Sequence, residues 1–308
     1  MAEAAPSPLR HQRPSLAVMG EAAQLAGLLP HLALEAKQVS AQVQLGIHGR
    51  RRAGPGEEFW EFRPFMPGEA AQRIDWRRSA RDDRFFVRER EWQSAMVHWL
   101  WVDLSPSMVF ASREAQRPKR ERALVLGLAL ADMLVNAGER VGLFGQAPPM
   151  ATRSIIARLA EALLRGPPPE TAMPESARIK RTEHLVLIGD FILPPEDFAA
   201  RLAKLAQNGA RGTILLIRDP AEEAFPFDGA VEFSGLEAEA PWRVGDAASM
   251  AQRYRARISA VTEAMRLSAL RHGFGFVKHV TDRPAAEALL ALAAQVSGQA
   301  QISGQAKP

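Results

Sequence analysis

Short apolar runs alternate with longer helical patterns over most of this 308-residue chain. Strands that are buried on both faces read as continuous apolar runs, and a helix between successive strands makes those strands parallel. The alternation therefore predicts an α/β fold with a mostly parallel sheet that carries helices on both faces. The predicted strands are 97–102, 140–144, 184–188, 213–217, 231–234 and 274–280, and the predicted helices are 120–137, 153–165, 195–208, 249–271 and 285–295.

The residues before this alternation follow a different pattern. Residues 15–44 predict a helix with a break or kink at Pro30. Alternating aromatic and charged side chains then predict a strand over 57–65, followed by a short helix at 70–80 and a strand at 84–93. We therefore expect a smaller N-terminal α+β portion over residues 1–94, the α/β domain over 95–296 and a flexible tail over 297–308.

Composition narrows the compartment and the class of protein. Cysteine is absent, which excludes disulfides and thiolate metal sites and favours a reducing compartment, so we expect a cytoplasmic protein. No stretch reaches the roughly eighteen apolar residues of a membrane span, so no transmembrane segment is expected. The formal net charge of +4 is small for this length, and nucleic-acid binding is therefore not expected.

Oxygen-bearing side chains follow two of the predicted strands. Asp103, Ser105 and Ser107 alternate directly after the first strand, and Asp190 follows the strand 184–188. Ligands of open α/β sheets bind at the carboxyl ends of strands, and oxygen-only ligands suit Mg²⁺ first and Mn²⁺ or Ca²⁺ next. These side chains therefore predict a cation site. A simpler interpretation stays open, in which the Asp and Ser side chains cap turns without a metal.

The pattern Asp103-x-Ser105-x-Ser107 lies between an apolar strand and a buried helix. It resembles the metal-ion-dependent adhesion site (MIDAS) of von Willebrand factor A-like domains, and Asp190 matches the later strand-end Asp of that site. The resemblance implies a Rossmann-like domain whose divalent cation is completed by an acidic residue of a partner protein. It also implies a Thr ligand from the intervening loop, where Thr171 is the better of two candidates because the other lies too close to the next strand.

A chain of short motifs carries a second and more specific resemblance, over roughly Gln44 to Ala293. The sequence is similar to a bacterial family called "domain of unknown function 58". The resemblance implies a signature segment directly before a von Willebrand A-like domain, no established catalytic activity, and a MoxR-type AAA+ ATPase that the protein assists. The motifs are Gly54-Pro-Gly-Glu-Glu-Phe59, Arg63-Pro-Phe-Met-Pro-Gly-Glu69, Arg73-Ile-Asp-Trp76, Ser79-Ala-Arg81, Val87-Arg-Glu89 and Thr281-Asp-Arg-Pro284.

These resemblances imply a metal-dependent protein-binding or adaptor module rather than an enzyme. Its expected role is to assist a MoxR-type AAA+ ATPase in the assembly or maturation of client proteins. Two alternatives stay open, a cation-dependent phosphoester hydrolase and a basic nucleic-acid binder. The hydrolase would need a water-activating base near Asp103, and Walker A, His-Glu-x-x-His and Gly-x-Ser-x-Gly motifs are absent from the sequence.

Overall fold

The computed structural model describes residues 16–48, 59–66, 74–81, 84–90, 95–165, 171–174, 179–233 and 241–305. Residues 54–58 of the family motif 54–59 and residues 70–73 of the predicted helix 70–80 lie outside the described residues. In chain order the elements are α1 (Leu16–His48), β1 (Phe59–Pro64), α2 (Trp76–Ser79), β2 (Phe86–Arg90), β3 (Val97–Val102), a 3-10 helix (Pro106–Val109), α3 (Lys119–Asn136), β4 (Arg140–Leu143), β5 (Ala147–Met150), α4 (Ile155–Arg165), β6 (Glu183–Gly189), α5 (Pro195–Gln207), β7 (Arg211–Arg218), α6 (Pro220–Ala224), β8 (Val231–Phe233), β9 (Trp242–Val244), α7 (Ala248–Arg271), β10 (Phe274–Val280) and α8 (Ala285–Gln305).

Six strands form the central sheet in the order β10-β7-β6-β3-β4-β5. Every neighbouring pair in it is parallel except β4 and β5, which are antiparallel. The predicted Rossmann-like α/β class is therefore confirmed. The chain moves from β3 towards one edge and then returns to place β6 on the other side of β3. The strand order thus reverses between β3 and β6, which is where ligands of such sheets bind.

Helices cover both faces of the sheet. On one face α3 is buried at every residue from Ala123 to Ala131, because it lies between the sheet and α1. Helices α4 and α8 contribute to the same core, whereas α5 and α7 pack on the other face around a second apolar cluster. Helix α1 runs through Pro30 without interruption. Apolar side chains at helical spacing along one of its faces pack against α3 and α8. The buried residues of that face are Leu29, Leu32, Ala36, Val39 and Val43.

Helix α1 thus shares a core with the α/β domain although it precedes the predicted boundary at 94. The boundary itself stays a prediction. Two small antiparallel pairs, β1 with β2 and β8 with β9, lie outside the central sheet.

Several elements differ from the sequence-based predictions. Strand β5 was not predicted because it contains Pro148 and Pro149, which cannot donate to a ladder and are accepted here at the sheet edge. Helix α6 and strand β9 are too short to give a periodic signal. Helix α8 continues to Gln305, so residues 297–305 of the predicted tail are helical although Gly298 and Gly304 have low helix propensity. Within the described part of 70–80, the helix covers only Trp76–Ser79.

Candidate functional site

Two buried carboxylates lie side by side at the carboxyl edge of the sheet, where the strand order reverses. Asp103 follows β3 and Asp190 follows β6, and these strands pair in parallel up to Val102 and Ile188. The N–H of Asp103 donates to the carbonyl of Ile188 at 2.8 Å, which extends the ladder past β3. Both Asp side chains are fully buried. The topology therefore brings together the two acids that were predicted to share one edge.

The backbone after β6 determines how Asp190 meets Asp103. A Cβ at Gly189 would lie 2.6 Å from the Cβ of Asp103 and 2.9 Å from its Oδ2, so only glycine fits there. Phe191 adopts a positive φ of 48°, a conformation that costs about 1–3 kcal/mol in a residue other than glycine. Its ring is fully buried and packs edge-on against Phe198 at a centroid distance of 5.8 Å. This packing holds the sharp turn that directs Asp190 into the site.

The loop after β3 gathers the other predicted ligands. Ser105 donates its N–H to Asp103 Oδ1 at 2.9 Å, and the hydroxyl oxygens of Ser105 and Ser107 lie 3.0 Å apart. Asp103 Oδ2 is buried and has no hydrogen-bond partner among the described residues. Burial, and to a smaller extent the nearby charge of Asp190, raise the pKa of Asp103 to about 6, against the lowering effects of the Ser105 hydrogen bonds and of Lys119.

A lysine that was not among the predicted residues lies at the centre of this site. Lys119 is the first residue of α3, and its side chain is fully buried. Its Nζ donates to Asp190 Oδ2 at 2.8 Å and to Glu222 Oε1 at 2.5 Å. The same Nζ lies 5.8 Å from the ring centroid of Phe110, within the range of a cation–π contact. A buried ammonium group therefore joins the end of β6 to α6.

An open cavity of about 610 Å³ lies over these groups. Its polar end is lined by Ser105, Ser107, Lys119, Glu222 and Thr171. Thr171 is half-buried and donates its hydroxyl to the carbonyl of Met173 at 2.8 Å. The structure thus brings Thr171 to the same cavity as the two serines, while Asp103 and Asp190 lie buried behind them.

The other end of the cavity is a wall of aromatic side chains, hereafter the aromatic wall. Most of it comes from the segment between β7 and α7, which contains α6, β8 and β9. The rings contact one another, with centroids 4.5 Å apart for Phe225 and Tyr254 and 5.8 Å apart for Phe225 and Phe233. The aromatic wall consists of Phe225, Phe227, Phe233, Trp242 and Tyr254.

The predicted divalent cation would meet a site that already holds a positive charge. Asp103, Ser105 and Ser107 offer neighbouring oxygens, but Mg²⁺ needs near-octahedral oxygen coordination at about 2.0–2.1 Å. Asp190 directs Oδ2 at Lys119, so a divalent cation would compete with the ammonium for this carboxylate. Among the described residues, no group of three or more acidic or His side chains is placed to hold a metal ion. The arrangement fits the ammonium better than Mg²⁺, and Mg²⁺ binding stays a prediction.

Sequence reasoning missed Lys119, Glu222 and the aromatic wall. A signal for Lys119 was present, since it is a charged residue at the start of the most apolar helical pattern of the chain. Glu222 gave no comparable signal, because it lies on a five-residue helix that was not predicted.

A second group of buried titratable side chains lies at the amino end of the same two strands. The rings of His98 on β3 and His184 on β6 have centroids 5.6 Å apart, and His184 Nε2 lies 3.1 Å from the hydroxyl of Thr213. Burial lowers the pKa of His98 to about 4. Burial, with a contribution from His98, lowers the pKa of His184 to about 3. Both histidines are therefore neutral at physiological pH, and the Glu139 carboxylate 4.0 Å from His98 Nε2 does not form an ion pair with it.

Within the described helices, no stretch combines the length and the hydrophobicity of a membrane span. A family model described as "Protein of unknown function DUF58" matches residues 61–267. Uncharacterized proteins of Mycobacterium bovis and Mycobacterium tuberculosis are 33% identical over 119 residues. That stretch is 39% of this chain and spans only 37% of the length of those relatives.

Two solved structures are similar at 14% identity, with all of each solved chain covered. A conserved hypothetical protein BatB from Bacteroides thetaiotaomicron has a TM-score of 0.37 over 68% of this chain. An aerotolerance-related membrane protein from Bacteroides fragilis has a TM-score of 0.38 over 67% of this chain.

Proposed function

Because the chain belongs to the DUF58 family, whose function is unknown, we propose a function from the geometry of its site: the chain is a protein-binding adaptor that receives an acidic side chain of a partner. The observation that carries this proposal is Lys119, a fully buried ammonium at the polar end of an open cavity. A carboxylate that enters the cavity meets a charged donor away from bulk water, where charge-assisted hydrogen bonds are strong.

The proposal retains the von Willebrand A-like interpretation and changes the source of the positive charge. In that interpretation a divalent cation receives the acid of the partner. Here Lys119 supplies the charge, and the hydroxyls of Ser105 and Ser107 supply donors beside it. Mg²⁺, or Mn²⁺ or Ca²⁺, is the alternative receiver, with Asp103, Ser105, Ser107, Thr171 and Asp190 as its ligands.

The partner that we propose is a MoxR-type AAA+ ATPase, which the chain would assist in assembling or maturing client proteins in the cytoplasm. This partner follows from the family resemblance, whereas the acid-binding site follows from the contacts of Lys119. The proposal is binding rather than catalysis, and turnover of a phosphoester by the isolated protein would contradict it.

The test measures association of the purified chain with the MoxR-type ATPase of the same genome by biolayer interferometry, in Mg²⁺ and in EDTA. Lys119→Gln should weaken association at least tenfold, because a neutral amide replaces the charged donor. Lys278→Gln is the matched control, since Lys278 also pairs with a glutamate of α6 but does not line the cavity. It should leave association unchanged.

The divalent-cation alternative predicts a different pattern. Association would then be lost in EDTA and in the Ser105→Ala, Ser107→Ala double variant, whereas Lys119→Gln would act only through stability. Association that is insensitive to EDTA, to Lys119→Gln and to the serine substitutions would overturn the proposed site altogether.

A further inference from the structure

We infer that the cavity is a two-part peptide site, in which Lys119 binds an acidic side chain of the partner in the place that Glu222 holds in the unbound chain. The aromatic wall then binds a large apolar side chain of the same segment. This inference rests on the proposed function and names the chemistry of the partner segment. That segment carries an acidic residue with an aromatic or large aliphatic residue within a few positions of it.

The two carboxylates on Lys119 differ in their access to solvent. Asp190 lies at the end of a central strand, and its side chain is 0% exposed, whereas the side chain of Glu222 is 16% exposed. Glu222 also lies on the five-residue helix α6 and lines the cavity. A carboxylate that enters from solvent therefore reaches the position of Glu222 first. Asp190 remains the permanent inner partner, and Glu222 is the exchangeable outer one.

Exchange of one carboxylate for another avoids a large energetic barrier. Leaving a buried charge without its partner costs about 3–5 kcal/mol. Lys119 has three donors and retains Asp190 throughout, so an incoming acid can bond to the ammonium as Glu222 leaves. Glu222 can keep its other contact, in which Oε2 accepts the N–H of Asp219 at 2.9 Å. The exchange then needs a side-chain movement rather than unfolding of α6.

The apolar half of the cavity indicates what lies next to the acid. Ile192 and Trp242 line the cavity and are each 57% exposed, so large apolar surfaces face water in the unbound chain. Covering such surface contributes roughly 25 cal/mol per Å². A small aromatic acid would fill the interior and leave these two residues exposed, whereas a peptide that continues out of the cavity covers them. The volume of about 610 Å³ is ample for two side chains of one segment.

The test uses an array of fluorescein-labelled decapeptides in Gly/Ser sequence, each with one Glu and one Phe separated by one to four positions. Binding is measured by fluorescence polarisation to the wild type and to variants whose folding is checked by circular dichroism. Glu222→Gln should bind the best peptide roughly tenfold more tightly than the wild type, because the internal competitor no longer carries a charge. Peptides with Gln for Glu, or Ser for Phe, should lose most of this binding.

Two matched variants separate competition from a general change of charge. Glu222→Asp keeps the charge but shortens the side chain away from Lys119, so it should also bind more tightly than the wild type. Glu223→Gln changes the charge of the same helix at a residue that pairs with Lys278 outside the cavity, and it should bind like the wild type. Trp242→Ala should weaken binding of Glu-Phe peptides and leave that of Glu-Ser peptides unchanged.

The inference is overturned if Glu222→Gln binds no array peptide more tightly than Glu223→Gln does. The proposed function fails separately if the wild type and the Lys119→Gln variant associate equally well with the ATPase. An ATPase interaction that depends on Lys119 but is the same in the Glu222→Gln and Glu223→Gln variants would retain the adaptor function and remove the exchange of Glu222.

Discussion

The two ends of β3 and β6 both bury titratable side chains, but in opposite states of charge. At the carboxyl end, Asp190 and Lys119 form a buried ion pair next to Asp103 and an open cavity. At the amino end, His98 and His184 are buried next to each other and are held neutral by desolvation. The same pair of strands thus supports a charged and accessible cluster at one edge and a neutral, closed cluster at the other.

The difference follows from the direction of the chain. Helix α3 follows β3 and begins at the carboxyl edge, so its amino end adds partial positive charge where the carboxylates lie. Lys119 at the start of α3 adds a full charge to the same edge. The amino edge holds the rings of the two histidines, and its buried polar groups can be accommodated only as neutral partners. The buried ion pair with a partly exposed outer partner therefore lies at the carboxyl edge.

The largest expected effect tests the charged end. Lys119→Met should lower the free energy of unfolding by about 3–5 kcal/mol, because it leaves the carboxylate of Asp190 buried without its cation. Adding Asp190→Asn should recover much of this loss, since the double variant no longer buries an unpaired carboxylate at position 190. Urea denaturation of the two single variants and the double variant measures the coupling. Strictly additive losses would show that the two side chains do not interact as described.

The next effect tests the neutral end through pH. The pKa values of His98 and His184 are about 4 and 3, below the ordinary value of 6.5, so between these values the unfolded chain binds protons that the folded chain does not. The free energy of unfolding is therefore highest above pH 6.5 and decreases as the pH falls below that value. At pH 5 the loss is about 2 kcal/mol for each histidine.

His184→Asn should remove its share of this pH dependence. The stability of the variant should then fall by about 2 kcal/mol less than that of the wild type between pH 7.5 and pH 5. Urea denaturation at the two pH values measures the difference. His31→Asn, at an exposed position of α1, is the control and should behave like the wild type. Equal pH dependence in all three proteins would mean that His184 takes up its proton in the folded chain over the same pH range as in the unfolded chain.

A smaller effect tests how tightly the charged end is packed. Gly189→Ala should lower the free energy of unfolding by about 1–3 kcal/mol, because the new methyl group would overlap the side chain of Asp103. Gly245→Ala is the matched control, since no atom lies within 4 Å of the Cβ that it would add. Thermal unfolding of both variants should separate them by several degrees. Equal melting temperatures would place Asp103 further from the end of β6.

The smallest effect belongs to the amino end. Trp99 Nε1 donates to Glu183 Oε2 at 2.9 Å across β3 and β6. Trp99→Phe removes this donor from a half-buried position and should cost about 1 kcal/mol. Glu183→Gln keeps an acceptor oxygen and should cost less than half as much. If Glu183→Gln were as destabilising as Trp99→Phe, the charge of Glu183 would matter more at this edge than the hydrogen bond does.

The parallel strands could be predicted from sequence because they are buried on both faces and therefore read as continuous apolar runs. The same topology brought Asp103, Ser105, Ser107 and Asp190 to one edge, as predicted. Lys119 could not be assigned to the site in this way, because its two partners lie 71 and 103 residues further along the chain. The aromatic wall was missed because Phe225 and Phe227 lie between elements and Trp242 lies on a three-residue strand, so none of them falls in a periodic pattern. What escaped prediction was thus the chemistry that depends on long-range contacts and short elements.

The segment that carries most of the aromatic wall lies outside the central sheet. It leaves the sheet at Arg218 and rejoins the fold at Ala248, and among the described strands β8 and β9 pair with each other and not with the central sheet. Its residues can therefore change without shifting the register of any of the six strands. Lys119 and Asp190, by contrast, belong to elements that the core requires. If the cavity binds a partner as proposed, substitutions in this one segment would change which side chain the aromatic wall accepts and would leave Lys119 and Asp190 in place.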